Sequence, residues 1–402
     1  MKKRLLVLSL IITCLILSIG CVSAKPSLIT FCWGPNSYPE AFVQNKDFAD
    51  TLPLDGMAMN SIAGRFLMSV KDFSRGNRSL ALDPTRVGIK DGLWTYDQIM
   101  ASFAPFSKEK PNSFYFKKLT HNFAKTGIRP ELGLFDDWTV YIESFKNFAK
   151  ASKDLGFKGI IFDNEMKKYW NYSDPFYVGH SLQECHDQAR LRGRQLMEAA
   201  ISVYPDITVL VFHGPYTSAT AAKQRGISCN NNTFLGSFAA GIIEGSALQK
   251  TSPHSIAIDG GELYDFRDLK EFQDSYKWRK TTVTDPAVTP KVLFMDDNLR
   301  KLWSKYCSIG FGIYTYERPD VTKGGWKPIT DFTTARKTAA NALMVADDYV
   351  WLYSPNYDWF NDPKSTQTVT GSGYLPPVTK EWIEAIKGAR LDAKIDTASA
   401  TK

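Results

Sequence analysis

Short, β-branched apolar runs alternate with longer amphipathic stretches along most of this chain. The clearest runs are 27–33 (S-L-I-T-F-C-W), 159–162 (G-I-I-F), 207–212 (I-T-V-L-V-F) and 349–353 (Y-V-W-L-Y). Each is too short for a helix and nearly continuous in apolar character, as a strand buried on both faces of a parallel sheet must be. Weaker runs at 54–60, 117–123, 255–258 and 309–316 complete a set of eight. Helical spacing is predicted between them, over 39–50, 138–155, 181–204, 233–248, 266–280, 333–346 and 381–390. Ser181 with Glu184 reads as a capping box, and Asp136 or Asp137 as the cap of the helix from Trp138. Strand, helix, strand at short intervals implies right-handed βαβ units. Eight such strands predict the α/β fold class and, within it, a (β/α)8 barrel. Residues 61–116 are irregular and rich in Gly and Pro; they are expected as an insertion after strand two, on the rim of the active face. A doubly wound sheet is the competing architecture. Its nucleotide-binding forms lose support, because neither G-x-G-x-x-G nor G-x-x-x-x-G-K-[ST] occurs.

Composition narrows the picture. The chain has 402 residues, 44% of them hydrophobic and 13% aromatic. That is enough for a single large domain over 25–392, with a polar tail at 393–402. The formal charge of +7 is spread along the chain without a Lys/Arg-dense stripe, so nucleic acid is not an expected partner. Residues 1–24 read as a secretion signal: Lys2, Lys3 and Arg4, then an apolar core, then Val22-Ser23-Ala24 before Lys25. The expected location is therefore secreted or periplasmic. Cleavage before Cys21 is the alternative and would leave a lipid anchor. No later segment holds 18 consecutive apolar residues, so no membrane span is expected after the signal. Cys32, Cys185, Cys229 and Cys307 form no C-x-x-C pair, which argues against a structural zinc site.

The chemistry is expected where the strands end, because that end of a barrel carries the site. The fourth strand breaks into Asp163-Asn164-Glu165, the best catalytic candidates. Glu262 and Glu317, after strands six and seven, are the candidate partners. Around them the strand order gathers Trp33, Asn60, His121, Asn122, Asn164, Trp170, His213, Tyr216, Asp259 and Tyr353 as substrate contacts. Trp94, Tyr172, Trp326, Tyr357 and Trp359 are expected in the loops of the same face. Carboxylates beside aromatics suit glycoside cleavage, in which one carboxylic acid protonates the leaving oxygen and a second attacks or activates water. No metal or other cofactor is called for. H-x-H, H-E-x-x-H and G-x-S-x-G are all absent, so metal-dependent hydrolysis and a serine nucleophile elbow have no support.

The runs T-H-N-F (120–123), F-D-D-W (135–138), K-G-I-I-F-D-N-E (158–165) and D-Y-V-W-L-Y-S (348–354) resemble a group of secreted bacterial barrel proteins classed as glycoside hydrolases. The resemblance covers most of residues 27–361 and implies the barrel fold and a sugar-cleaving activity on a polysaccharide or glycoconjugate. Asn164 stands where that group usually has Pro. Asn164-Glu165 also resembles the Asn-Glu pair on the fourth strand of a large clan of retaining glycosidases. That likeness implies Glu165 as acid/base and Glu317 as nucleophile. Pairing Asp163 with Glu165 or Glu262 remains the other assignment, and a non-catalytic glycan-binding barrel the other function.

Overall fold

The computed structural model describes residues 25–31, 38–61, 63–64, 93–128, 132–164, 170–214, 232–249, 255–289, 292–317, 325–364 and 375–395. Its frame is a parallel sheet of β1 (Ser27–Phe31), β2 (Gly56–Met59), β3 (Phe123–Gly127), β4 (Gly159–Asp163), β5 (Thr208–Val211), β6 (Ile256–Asp259), β7 (Cys307–Ile309 and Phe311–Tyr314) and β8 (Tyr349–Tyr353). Each strand pairs with its sequence neighbour. The two halves of β7 are one strand interrupted at Gly310. The first half pairs with β6 and the second with β8, while β8 pairs with β1. The sheet therefore closes on itself, and the chain is a (β/α)8 barrel.

Alternation along the strands divides the core into two. Ile29, Phe31, Ala58, Phe123, Ile161, Leu210, Phe212, Ile258, Tyr349 and Trp351 fill the barrel. The intervening residues face the helices and join a larger cluster with Phe145, Phe148, Leu196 and Phe238. Trp351 is the keystone of the inner core. It stacks on Phe212 at 4.3 Å and donates its indole N–H across the barrel to Gly260 O at 2.8 Å.

Most of the helices follow the sequence. The capping box forms at Leu182–Val203, with Ser181 N–H on Glu184 Oε2 at 2.6 Å and Glu184 N–H on Ser181 Oγ at 3.2 Å. Asp137 accepts the N–H of Thr139 at the start of Thr139–Asp154. Asp296 caps the helix Asp297–Tyr306. The stretch 39–50 is broken into Pro39–Gln44 and Lys46–Ala49.

Two expectations are corrected. The third strand is Phe123–Gly127, not 117–123. The polar Lys125 and Thr126 hide it in the sequence, yet both are buried. The insertion also does not sit on the rim where it is described. Residues 93–116 pack along Thr139–Asp154 and cross its C-terminal end, with Trp94 N–H on Ser144 Oγ, Tyr96 OH on Asp154 and Asn112 N–H on Leu155 O. The missing apolar cover of that helix is supplied by Trp94, Ile99, Phe103 and Phe106, all buried.

Candidate active site at the barrel mouth

Four polar groups stand at or just past the C-terminal ends of adjacent strands, and two of them, Lys125 and Asp163, face inward. Lys125 lies two residues beyond the inward Phe123, and Asp163 two beyond the inward Ile161. The strand period therefore turns both into the barrel. Lys125 Nζ is 3.7 Å from Asp163 Oδ2 and packs over the rings of Phe31 (4.8 Å) and Phe212 (5.9 Å). A buried ammonium is tolerated when a carboxylate and ring faces replace its water. From β5 and β6 come His213 and Glu262. Gly261 turns the chain after β6 with φ +57°, in the left-handed region, and a Cβ there would meet Arg279 Nη1 at 2.4 Å. That turn brings Glu262 Oε2 to 3.0 Å from His213 Nε2. The Tyr264 hydroxyl also hydrogen-bonds Glu262. Burial first, and then the Glu262 charge, push the Tyr264 hydroxyl well above the ordinary tyrosine range.

The aromatic wall is built from rings that mostly spend their faces on one another. Tyr353 stacks on Phe31 (4.7 Å) and Tyr314 (5.1 Å); Tyr314 stacks on Tyr264 (4.6 Å) and Tyr316 (5.2 Å). Trp326 stands edge-on to Tyr314 and Tyr264. Tyr264, Tyr314, Tyr316, Trp326 and Tyr353 are all partly exposed. A stack of tyrosines used in this way offers hydroxyls and ring edges at the mouth.

The other predicted site residues are distributed differently. Asn164 is fully buried and spent on the frame: its amide donates to His213 O at 2.7 Å and accepts from His213 N–H at 2.9 Å, tying β4 to β5. Asn60 follows β2 and is buried. Glu317 lies past β7 in a two-strand hairpin of Tyr316–Glu317 and Lys327–Pro328, opposite Lys327. Arg267 feels its charge: burial holds that guanidinium below its usual range, and Glu317 is the foremost of the carboxylates that counter this. Trp33, Glu165 and Tyr216 lie outside the described residues.

Some expected contacts are corrected by position. His121 and Asn122 precede β3, so they sit at the opposite, N-terminal end of the barrel. There His121 Nδ1 bonds Tyr349 OH at 2.8 Å and Ser27 Oγ at 3.2 Å. Asn122 bonds Asn112, Leu119 and Met57. Asp259 faces outward, where Arg279 meets it at 3.1 Å with both side chains fully buried. Burial pushes the Asp259 carboxyl up, and Arg279 opposes that. Trp94, Trp170 and Trp359 are buried in the helical layer, Trp170 against Phe238. Lys125, Tyr264, Tyr314 and Tyr316 are mouth residues that sequence reasoning missed. The cue for Lys125 was available: it is a lone charge two residues beyond an inward Phe. Among the described residues, no group of three His, Cys, Asp or Glu could hold a metal ion.

No protein-family model matches the chain, and no curated protein matches it. Solved structures do. The 3-keto-D-glucoside 4-epimerase YcjR from E. coli shares 12% identity over 91% of this chain and 100% of its own, with a TM-score of 0.40. The exo-β-1,4-mannosidase Op5Man5 from Opitutaceae bacterium strain TAV5 shares 11% over 93% of this chain and 61% of its own, at 0.42. XacCel5A shares 10% over 91% and 99%, also at 0.42. Likeness this slight carries no argument about chemistry, and the barrel assignment rests on the strand order itself.

Proposed function

We propose that this protein is a secreted glycoside hydrolase acting on a polysaccharide or glycoconjugate, with carboxylates of the barrel mouth as its chemistry and no cofactor. The observation that carries the reading is the placement of Asp163 and Glu262 at the C-terminal ends of β4 and β6, the same end of the barrel as a set of partly exposed tyrosines. Polyhydroxylated substrates are bound by such donors and acceptors. Glu165, two residues beyond the inward Asp163, is proposed as the general acid/base that protonates the leaving oxygen. Glu262 is favoured over Glu317 as its partner, because His213 and Tyr264 hold Glu262 in a fixed orientation while Glu317 faces Lys327 and Arg267. A carboxylate that must attack or activate water gains from such preorganisation. Asp163, paired with Lys125, is read as the electrostatic neighbour of the pair.

The second reading is a glycan-binding barrel without turnover. It is favoured by one feature: Glu262 and Asp163 are both already engaged by protein partners. One experiment separates the two. Protein from the exported fraction, expected to begin at Lys25, is screened on a glycan panel alongside Glu165→Gln, Glu262→Gln and Asp163→Asn. Turnover should fall by about 10²–10⁴-fold in the Glu165 and Glu262 variants, with unchanged circular dichroism. Full activity in Glu165→Gln would remove the acid/base assignment, and glycan binding with no turnover in the native protein would install the binding reading. A leader still attached in the exported fraction would overturn cleavage before Lys25.

A further inference from the structure

The N-terminal face of the barrel, opposite the mouth, carries one exposed aromatic ring, Phe114, among lysines. The segment 107–118 reads S-K-E-K-P-N-S-F-Y-F-K-K. Its short helix Asn112–Tyr115 is pinned across the end of Thr139–Asp154, because the Asn112 side-chain amide and backbone N–H both donate to Leu155 O. Phe116 and Phe106 are buried by this anchoring, and Phe114 is turned out, 65% exposed. Lys110 lies over the Phe114 ring at 5.9 Å. Lys117 and Lys118 flank it and are exposed, with their backbone N–H groups on Asp50. Lys153 and Lys158, on either side of the Gly156 turn that packs on Asn112, are exposed as well, with Lys153 Nζ on Val203 O at 3.4 Å. Lys110, Lys117 and Lys118 come from one segment, and the fold adds Lys153 and Lys158 to them.

Four carboxylates share this sector, Asp50, Glu109, Asp154 and Asp55, the last paired with Arg390. Asp50 is held by the backbone of 117–119, and Asp154 by Tyr96 and Lys108. Asp206 stands at its border. The remaining balance is positive. β1 begins at Ser27 on this same face, where Lys25 Nζ bonds the carbonyls of Lys394 and Ile395.

We propose that this face docks on a bilayer rich in anionic phospholipid, with Phe114 entering the headgroup layer and Lys110, Lys117, Lys118, Lys153 and Lys158 facing the phosphates. A single aromatic ring inside a ring of lysines suits a lipid interface, where apolar burial and charge attraction act together. The mouth then points away from the membrane, toward a substrate in the surrounding space. The proposal goes beyond the glycosidase reading and uses none of its residues.

The test is vesicle co-sedimentation of the chain from Lys25, which retains all eight strands and every contact described above, after a cooperative melt has been verified. Vesicles contain phosphatidylcholine alone or with about one-third phosphatidylglycerol. Binding should be at least about tenfold stronger with phosphatidylglycerol and should fall as salt rises from about 0.1 to about 0.5 M. Phe114→Ser and the triple variant Lys110→Glu, Lys117→Glu, Lys118→Glu should each lose most of it while melting normally. No sedimentation, equal binding to neutral vesicles, or unchanged binding in both variants overturns the proposal. Retention on immobilised polyglutamate without vesicle binding overturns it in favour of a polymer partner.

Discussion

Arg279 shows how much one side chain can hold in this fold. It is fully buried, pairs with Asp259 Oδ1, and donates to the carbonyls of Asp259 and Gly310. Those carbonyls lie at the end of β6 and at the interruption of β7, where the barrel closes. Arg279→Met would leave the Asp259 carboxylate buried without a counter-charge, a situation that typically costs about 3–5 kcal/mol. Denaturant unfolding should show that loss, and adding Asp259→Asn should recover part of it; equal stability of Arg279→Met would mean that the pair is dispensable. Asp259 was expected at the substrate because an acidic strand end is conspicuous in sequence. Its inward neighbour Ile258 decides the matter, since alternate residues face opposite sides. The same parity turns Asp163 and Lys125 into the mouth. Parity was therefore legible, and it would have sorted Asp259 from Asp163 had the strand limits been known.

At the scale of elements, the long amphipathic helices and the apolar strands were readable because each satisfies its local rule without help from the rest. The third strand was not. F-A-K-T-G has weak strand character, and its place is fixed by pairing with β2 and β4. His121 and Asn122 moved to the other end of the barrel for that reason alone. Packing of Leu182–Val203 on Leu235–Ala247 was equally hidden. The two helices touch backbone to backbone: a Cβ on Gly193 would meet Phe238 O at 2.0 Å, and one on Gly241 would meet Arg190 O at 1.9 Å. Gly241→Val would force them apart and should cost about 3 kcal/mol, at the upper end of overpacking penalties. A melting temperature equal to that of the native protein would show that the contact can relax.

For the whole molecule, the N-terminal end of the barrel predicts its response to acid. Ser27, His121 and Tyr349 link β1, the approach to β3 and β8 through hydrogen bonds. Burial, and then the Lys158 charge, hold the His121 imidazole below its usual value. A group whose folded pKa is depressed binds more protons in the unfolded chain at low pH. Its contribution is present above the unfolded value of about 6.5 and is lost as pH falls through the folded value. Global stability should therefore decline on acidification through that window, and His121→Asn should flatten the decline. An unchanged slope would place the titration elsewhere. The sequence by itself determined that alternating strands and helices would form, where most helices start, and that carboxylates would stand at the ends of apolar strands, because these follow from periodicity and local hydrogen bonding. Only the tertiary structure decided which of those polar groups meet. The Lys125–Asp163 and His213–Glu262 pairs depend on the pairing of neighbouring strands, the tyrosine stack on closure of the sheet between β7, β8 and β1, and the lysine-flanked Phe114 on packing against a helix end; each joins residues that no local rule relates.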